Sequence, residues 1–298
     1  MNNNLETNKI IQYLTLIDNI SSRNSIMQEK NRPQFLFRGE SKEHERILLP
    51  KYLRPLQEDS VRADRCYMAE ERDIVSQFRD QAYPYVSNIE KKDLVSWREC
   101  AQHYGVPTKL LDWSSNPLVA LFFSCIGDYN ENGIVWMINW QNYHSSTNRE
   151  DVDNKNLAKS GITVMDAIEM EAQGNPRLIN PVIYSPCYTD IRMSAQSSYF
   201  MLWGTSEDDL IKQIGSEYVK EAEFVSVKTT NGSTARVKEP ITLYYFIIDK
   251  NEKKRIQNQL SRWGINHKTL FPGLDGIGKY TDEINKYSGQ EYIDFFFG

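Results

Sequence analysis

Apolar residues recur along this chain with two periods, and each period predicts one type of secondary structure. Residues 6–20 carry apolar side chains at helical intervals, and several later segments have the same spacing. One of these helices starts at Asn116-Pro117, where proline at the first helical position is well tolerated. The predicted helices cover residues 6–20, two or three segments between 60 and 100, then 118–126, 164–172, 208–224, 253–263 and a last helix from about 279.

Short runs of β-branched and aromatic residues predict strands between these helices. The predicted strands cover residues 34–39, 108–113, 133–140, 182–184, 199–203 and 241–248. Asn231-Gly232 predicts a flexible turn or hairpin before the last of them. Strands and helices are interspersed without strict alternation, and this arrangement favours the α+β class.

Length and composition limit the organisation of the chain. Its 298 residues allow one large domain or two small ones. With 40% hydrophobic and 25% charged residues, the chain is not of the disordered, collagen-like or coiled-coil type. We expect an N-terminal helical segment over residues 1–30 and one main domain over residues 31–298, with a helical insertion at about 60–100.

Several classes of protein are disfavoured by charge and motif content. The longest apolar run, residues 118–126, is far shorter than the roughly 20 residues that a membrane span requires. The first ten residues, MNNNLETNKI, lack the charged segment followed by an apolar one that a secretory signal has. We therefore expect a cytoplasmic protein that does not contact membranes. A pI of about 5.6 argues against constitutive nucleic-acid binding. The four cysteines contain no C-x-x-C pair, so no metal site is expected.

The first candidate for chemistry is Phe37-Arg38-Gly39, at the end of an apolar strand. The guanidinium of Arg38 is permanently charged, and its forked donors fit carboxylate or phosphate. The structural alternative is an exposed arginine at the end of a strand, or one paired with an aspartate inside the fold.

The second and third candidates place polar residues in apolar surroundings. The second begins at Gln102 and continues into a strand, a turn and a helix, and buried polar groups there must be paired. Its polar members are Gln102, His103, Thr108, Asp112, Ser114, Ser115 and Asn116. Ser114 and Asn116 could serve only as helix caps, and His103 with Asp112 fits either a catalytic or a structural pair. In the third, residues 192–196, Gln196 could simply bond the backbone at a sheet edge.

These three clusters resemble the FRG domain family of bacterial and phage proteins. The family's Phe-Arg-Gly stands at residues 37–39, and its central block looks like AQHYGVPTKLLDWSSNPLVALFF at 101–123. Residues 192–200 are similar to its R-I-x-A-Q-x-x-x-F segment, with Met193 in place of isoleucine, and LFPGLDG at 270–276 looks like its closing signature. We expect this last segment to be structural, with Phe271 in the core, Pro272 ending an element, and glycine allowing a turn.

A more distant resemblance is to the ADP-ribosyltransferases. It implies a mixed, mostly antiparallel split sheet flanked by helices, and NAD as a candidate substrate with no required cofactor. The implied catalytic set is Arg38, His103, Asp112 and Gln196. The implied ligand-binding set is Gly39, Gln102, Tyr104, Thr108, Trp113, Ser114, Asn116, Arg192 and Phe200.

The resemblance also implies a role for each main residue. Arg38 would hold the pyrophosphate or the ribose phosphates, and Ser114 would fix ribose hydroxyls. His103 and Asp112 would orient the nicotinamide ribose or act as the acid/base pair. Gln196 would lie near the scissile bond, where most active members hold glutamate.

Two functions follow as alternatives. The first is an NAD- or nucleotide-binding enzyme of the ADP-ribosyltransferase type, acting on a macromolecular acceptor in phage defence or as a toxin-like effector. The second is a non-catalytic module that uses the same pocket to recognise a nucleotide or a protein.

Overall fold

The computed structural model describes residues 9–23, 34–42, 48–54, 69–139, 143, 163–175, 178–222 and 243–286. Its α-helices are α1 (Lys9–Arg23), α2 (Glu71–Ala82), α3 (Leu94–His103), α4 (Pro117–Cys125), α5 (Val164–Ala172), α6 (Ile191–Ala195), α7 (Leu210–Ile214), α8 (Lys253–Arg262), α9 (His267–Leu270) and α10 (Leu274–Asn285). Its strands are β1 (Phe35–Glu40), β2 (Leu110–Ser114), β3 (Gly133–Asn139), β4 (Val182–Tyr184), β5 (Ser198–Leu202), β6 (Val219–Glu221) and β7 (Leu243–Ile248).

The chain divides into two compact units. The first unit comprises residues 1–43, 114–142 and 217–298, and the second comprises residues 44–113 and 143–216. Strand β2 belongs to the second unit except for its last residue, Ser114.

The first unit is built on strands in the order β1–β3–β7–β6. β1 with β3 and β3 with β7 are antiparallel, whereas β6 with β7 is parallel. Ser114 lies opposite Phe37 in a further antiparallel pairing. Because side chains alternate along a strand, Phe37, Met137 and Phe246 point into one core, which α1, α4 and α8 also line.

The second unit has strands in the order β4–β5–β2. β4 and β5 are antiparallel, with Ile183 opposite Met201. Next to the strands, the backbone N–H of Trp203 donates to the carbonyl of Lys109 at 3.0 Å. One core cluster packs the strands against α5, and a second surrounds the fully buried Trp97 of α3.

The chain is therefore of mixed α and β structure, with mostly antiparallel strand pairings flanked by helices, as the sequence predicts. Among the described helices, none has both the length and the apolar character needed to cross a membrane.

The prediction of one helix over residues 208–224 is wrong. Helix α7 ends at Ile214 because Gly215 follows with a φ of 100°, in the left-handed region that favours glycine. The chain then continues into β6, whose Val219 pairs with Leu243 of β7. The last helix also differs from the prediction, since α10 begins at Leu274 rather than near residue 279.

The closing segment differs from the prediction in one respect. Leu270 is the buried side chain of this segment, and Phe271 is only half-buried. The ring of Phe271 stacks on His267 with centroids 5.6 Å apart and meets Phe123 edge-on at 5.9 Å. Gly273 has a φ of 144°, so it does supply the expected turn. The loss for Phe271→Ala is thus expected below the 3–5 kcal/mol typical of a fully buried phenylalanine.

Some predictions lie outside the described residues. They are the hairpin at Asn231-Gly232, the boundary at residue 30, and most of the segment between β3 and α5.

Candidate functional site

Arg38 lies near the end of β1 in the first unit, and its guanidinium is paired. Its Nε and Nη2 donate to Oε1 of Glu40 at 3.2 and 3.0 Å. Residues 38 and 40 share one face of the strand because strand side chains alternate. The Glu40 side chain is only 3% exposed, against 15% for Arg38. The fork of Arg38 is therefore engaged by a carboxylate of its own strand.

Ser114 and Asn116 have clear structural roles in the first unit. Oδ1 of Asn116 accepts from the backbone N–H of Leu118 at 2.9 Å and caps the start of α4. Oγ of Ser114 accepts from the backbone N–H of Asn116 at 3.0 Å. Both residues thus fix the backbone at the start of α4, in agreement with the alternative that they serve as helix caps.

In the second unit, Gln102 connects two predicted site residues. Its Nε2 donates to Oδ2 of Asp112 at 2.8 Å, and its Oε1 accepts from Oγ1 of Thr108 at 2.6 Å. Oγ1 of Thr108 in turn accepts from the backbone N–H of Leu110 at 3.1 Å. Asp112 is exposed on β2 although this network holds it. The carboxylate of Asp112 is consequently oriented but remains open to solvent.

His103 lies among charged groups at the C-terminal end of α3. Its Nε2 is 3.9 Å from Oδ2 of Asp190, beyond hydrogen-bonding distance. Its ring meets Tyr104 edge-on at 5.5 Å, and the guanidinium of Arg192 lies over the Tyr104 ring at 5.9 Å. Oδ1 of Asp190 accepts from the backbone N–H of Arg192 at 2.8 Å. An imidazole, a phenol ring, a carboxylate and a guanidinium are thus close neighbours, and we call these four residues the His103 cluster.

The pKa of His103 is lowered from its ordinary value near 6.5. Burial is the largest cause, because it disfavours the charged form, and the positive charge of Arg192 acts in the same direction. Asp190 and Asp112 act in the opposite direction. The imidazole is therefore neutral at pH 7 and able to accept a proton.

Three more predicted residues lie in the second unit. Gln196 follows α6, and its backbone N–H donates to the carbonyl of Arg192 at 2.9 Å. Phe200 is buried in β5 against Tyr184, with centroids 5.9 Å apart. Trp113 is 2% exposed, so it belongs to the interior. Arg38 lies in the first unit. It stays a prediction that Arg38 and Gln196 share a pocket with His103.

The second unit also contains a cleft that the sequence did not predict. It has a volume of about 680 Å³ and lies between α3, α5 and the segment around β4. None of the predicted site residues lines it. Glu99 and Tyr184 do, and both are buried. The sequence offered one signal for this cleft. Arg98 and Glu99 are adjacent charged residues between Trp97 and Cys100, in a helix whose residues 96–101 are all buried.

The pKa of Glu99 is raised from its ordinary value near 4.5 to about 8. Burial is the largest cause and Asp93 adds to it, whereas the contact with the Tyr184 hydroxyl and the positive charge of Arg98 act in the opposite direction. Because the folded protein holds this proton more tightly than the unfolded chain, Glu99 contributes stability below about pH 4.5. That contribution is lost as the pH rises to about 8.

Glu99→Gln is therefore expected to become increasingly stabilising, relative to wild type, between about pH 5 and pH 8. The difference should grow by at most about 1.4 kcal/mol for each pH unit and then level off. Urea unfolding of both proteins at several pH values measures it. An exposed carboxylate, Glu217→Gln, is the control and should give a nearly flat difference. A flat difference for Glu99→Gln would contradict a raised pKa.

Comparison with known families agrees with the first resemblance. The FRG domain family matches residues 33–133, about a third of the chain. The match includes Arg38, Gly39 and the whole block from Gln102 to Asn116, and it supports the likeness to this family. No curated protein and no solved structure matches the chain.

Proposed function

We propose that the protein binds a nucleotide of the NAD class at the His103 cluster and cleaves its nicotinamide glycosidic bond, as ADP-ribosyltransferases do. The observation that supports this proposal is that an exposed aromatic ring, a guanidinium, carboxylates and a neutral imidazole lie side by side in one unit. These are the groups that a base, a pyrophosphate, ribose hydroxyls and a proton transfer require.

Each part of a nucleotide has a partner in the His103 cluster or in Asp112, whose charge acts on His103. The ring of Tyr104 is 57% exposed and offers a face for base stacking. The guanidinium of Arg192 suits phosphate oxygens. Asp112, held in place by Gln102, accepts hydrogen bonds from ribose hydroxyls. Arg192 is a better candidate for the pyrophosphate than Arg38, because its guanidinium lies over the Tyr104 ring in the cluster itself, whereas Arg38 belongs to the first unit.

The proposed chemistry uses His103 as a general base. The bond between C1′ of the ribose and the nicotinamide nitrogen breaks, and its electron pair stays on the nitrogen of the leaving nicotinamide. An oxygen of water or of an acceptor then bonds to C1′, and its proton passes to His103. Gln196 would stabilise the positive ribose only through its amide dipole, so turnover should be slow.

The alternative is recognition without cleavage. Glutamine at position 196 favours it, because an amide carries no full negative charge to stabilise an oxocarbenium-like centre. In this case the same cluster would bind a nucleotide, and the ligand itself would be the signal.

We expect NAD to bind the wild-type protein and Arg192→Ala to weaken that binding about 10- to 100-fold, the usual effect of losing a charge-assisted hydrogen bond. Gln196→Glu should raise nicotinamide release about tenfold or more, and His103→Ala should abolish it. Calorimetry and a nicotinamide assay measure these effects. Arg255→Ala, which changes an ion pair with Glu252 in the first unit, is the matched control.

The outcomes separate the two functions. Nicotinamide release that depends on His103 supports the enzyme. Binding that depends on Arg192, with no release even from Gln196→Glu, supports the recognition module. If NAD, ADP-ribose and AMP all fail to bind, the proposal is wrong.

A further inference from the structure

The cleft of about 680 Å³ in the second unit has two buried polar groups in its wall. Glu99 is 1% exposed and Tyr184 is 4% exposed. In the part of the chain that the structure describes, Oε2 of Glu99 and the Tyr184 hydroxyl face each other in a contact looser than an ordinary hydrogen bond, and no other hydrogen-bond partner is found for either atom. This contact lowers the pKa of Glu99 and raises that of Tyr184. Buried polar atoms normally make full hydrogen bonds, so this pair keeps bonding capacity for a ligand that enters the cleft.

The charged neighbours show which sign that partner has. Arg98 follows Trp97 on the same helix as Glu99, but its Nη2 is held 3.2 Å from Oε2 of Glu71. The charged groups that face Glu99 or Tyr184, or line the cleft, are Glu71, Glu90, Lys92, Asp93, Arg98 and Glu169. Arg98 is paired with Glu71, and Nζ of Lys92 lies 3.3 Å from Oε2 of Glu90, so these four charges balance in pairs. Asp93 and Glu169 are the carboxylates in excess, and the cleft therefore favours a cation.

The remaining lining residues limit the kind of cation. Leu94, Val95, Met165 and Ala172 form an apolar strip in a cleft wall that is otherwise mostly polar. Among the described residues, no group of three or more His, Cys, Asp or Glu side chains is arranged to hold a metal ion. A cleft of this volume that combines a buried carboxyl with an apolar strip suits an organic cation on an aliphatic chain.

We propose that this cleft is a second binding site, separate from the His103 cluster, which takes an ammonium or guanidinium group on an aliphatic chain. The cationic head donates hydrogen bonds to the Glu99 carboxylate and to the Tyr184 oxygen, and the chain lies along Leu94, Val95 and Met165. The source is either a free amine or an arginine or lysine side chain of a peptide, since both present the same chemistry.

Binding of this kind should release a proton. Because burial holds the pKa of Glu99 at about 8, its carboxyl is mostly protonated at pH 7. A bound cation favours the ionised form, so the proton leaves as the ligand enters. Affinity should therefore increase by up to about tenfold for each unit by which the pH is raised toward 8. Above that pH the affinity should stay constant.

Calorimetry on the full chain with agmatine, whose guanidinium stays charged throughout, tests the site. We expect binding that strengthens from pH 6 to pH 8. Glu99→Gln should weaken it about 10- to 100-fold and remove the pH dependence. Tyr184→Phe keeps the ring in the core and should give a smaller loss. Glu169→Gln, at the exposed end of the cleft, is the matched control for charge alone and should change affinity only a few-fold.

Two comparison ligands identify the source. A blocked tripeptide containing arginine that binds more tightly than agmatine and spermidine indicates a peptide side chain, and the reverse order indicates a free amine. The proposal is overturned if none of the three binds at pH 8.5, if butane-1,4-diol binds as well as they do, or if folded Glu99→Gln binds agmatine with unchanged affinity.

Discussion

Replacing Arg98 by methionine is expected to destabilise the protein by about 3–5 kcal/mol, because it leaves a carboxylate buried without its cation. Arg98 and Glu71 form an ion pair inside the second unit, with side chains 3% and 5% exposed. The other oxygen of Glu71 accepts from the backbone N–H of Lys109 at 2.7 Å. Glu71 therefore cannot leave the interior without also releasing the start of β2.

Urea unfolding of wild type and variants measures this effect. The double variant Glu71→Gln with Arg98→Met should lose less than the sum of the two single losses, since the second change removes the orphaned charge. Arg79→Met is the control, because Arg79 pairs with the half-exposed Asp80. Its loss should stay within about 1 kcal/mol. An equally small loss for Arg98→Met would show that the ion pair is not buried in solution.

The predicted strands are confirmed, and they could be predicted because the sequence signals for them are local. Each of the six predicted runs of β-branched and aromatic residues forms a strand within two residues of its expected limits. Strand β6 was missed for the opposite reason. Val219 and its neighbours form a strand by pairing with Leu243 and the residues after it, and no pattern within residues 208–224 encodes that pairing.

The site residues divide in the same way. The pairing of Arg38 with Glu40 was available from the sequence, because positions two apart lie on one face of a strand. The neighbours of His103 were not. Asp190 and Arg192 reach it from α6, a five-residue helix on a distant part of the chain. Residue type identifies a candidate such as His103, but its pKa depends on groups that only the tertiary fold brings near.

Glu99 illustrates the same limit for the cleft. Its position beside Trp97 and Cys100 indicates burial, since helix neighbours of this kind pack inside. Whether a buried glutamate is paired depends on β4 and α5, which approach it from other parts of the chain. The raised pKa is consequently a property of the packed unit and cannot be predicted from the local sequence.

The remaining large effect concerns the glycine of the Phe-Arg-Gly motif. Gly39→Ala is expected to destabilise the first unit by about 3 kcal/mol or more, at the upper end of overpacking changes. A Cβ added at Gly39 would lie 1.8 Å from the carbonyl oxygen of Ala120 and 2.8 Å from the backbone nitrogen of Ser124. Both atoms belong to the backbone of α4, so no side chain can rotate away to make room. Glycine is therefore required here because β1 and α4 lie in close contact.

Gly278→Ala in α10 is the matched control, because a Cβ there meets no atom within 4 Å. It should be neutral or stabilising by up to about 1 kcal/mol, since alanine favours helix. Thermal and urea unfolding of both variants measure the difference. Equal stability of the two variants would contradict the close approach of β1 to α4. A large loss of unfolding free energy for Gly39→Ala alone would show that the glycine of the motif is required for packing. Arg38 and Glu40 are then the residues of this segment whose side chains are available for a functional role.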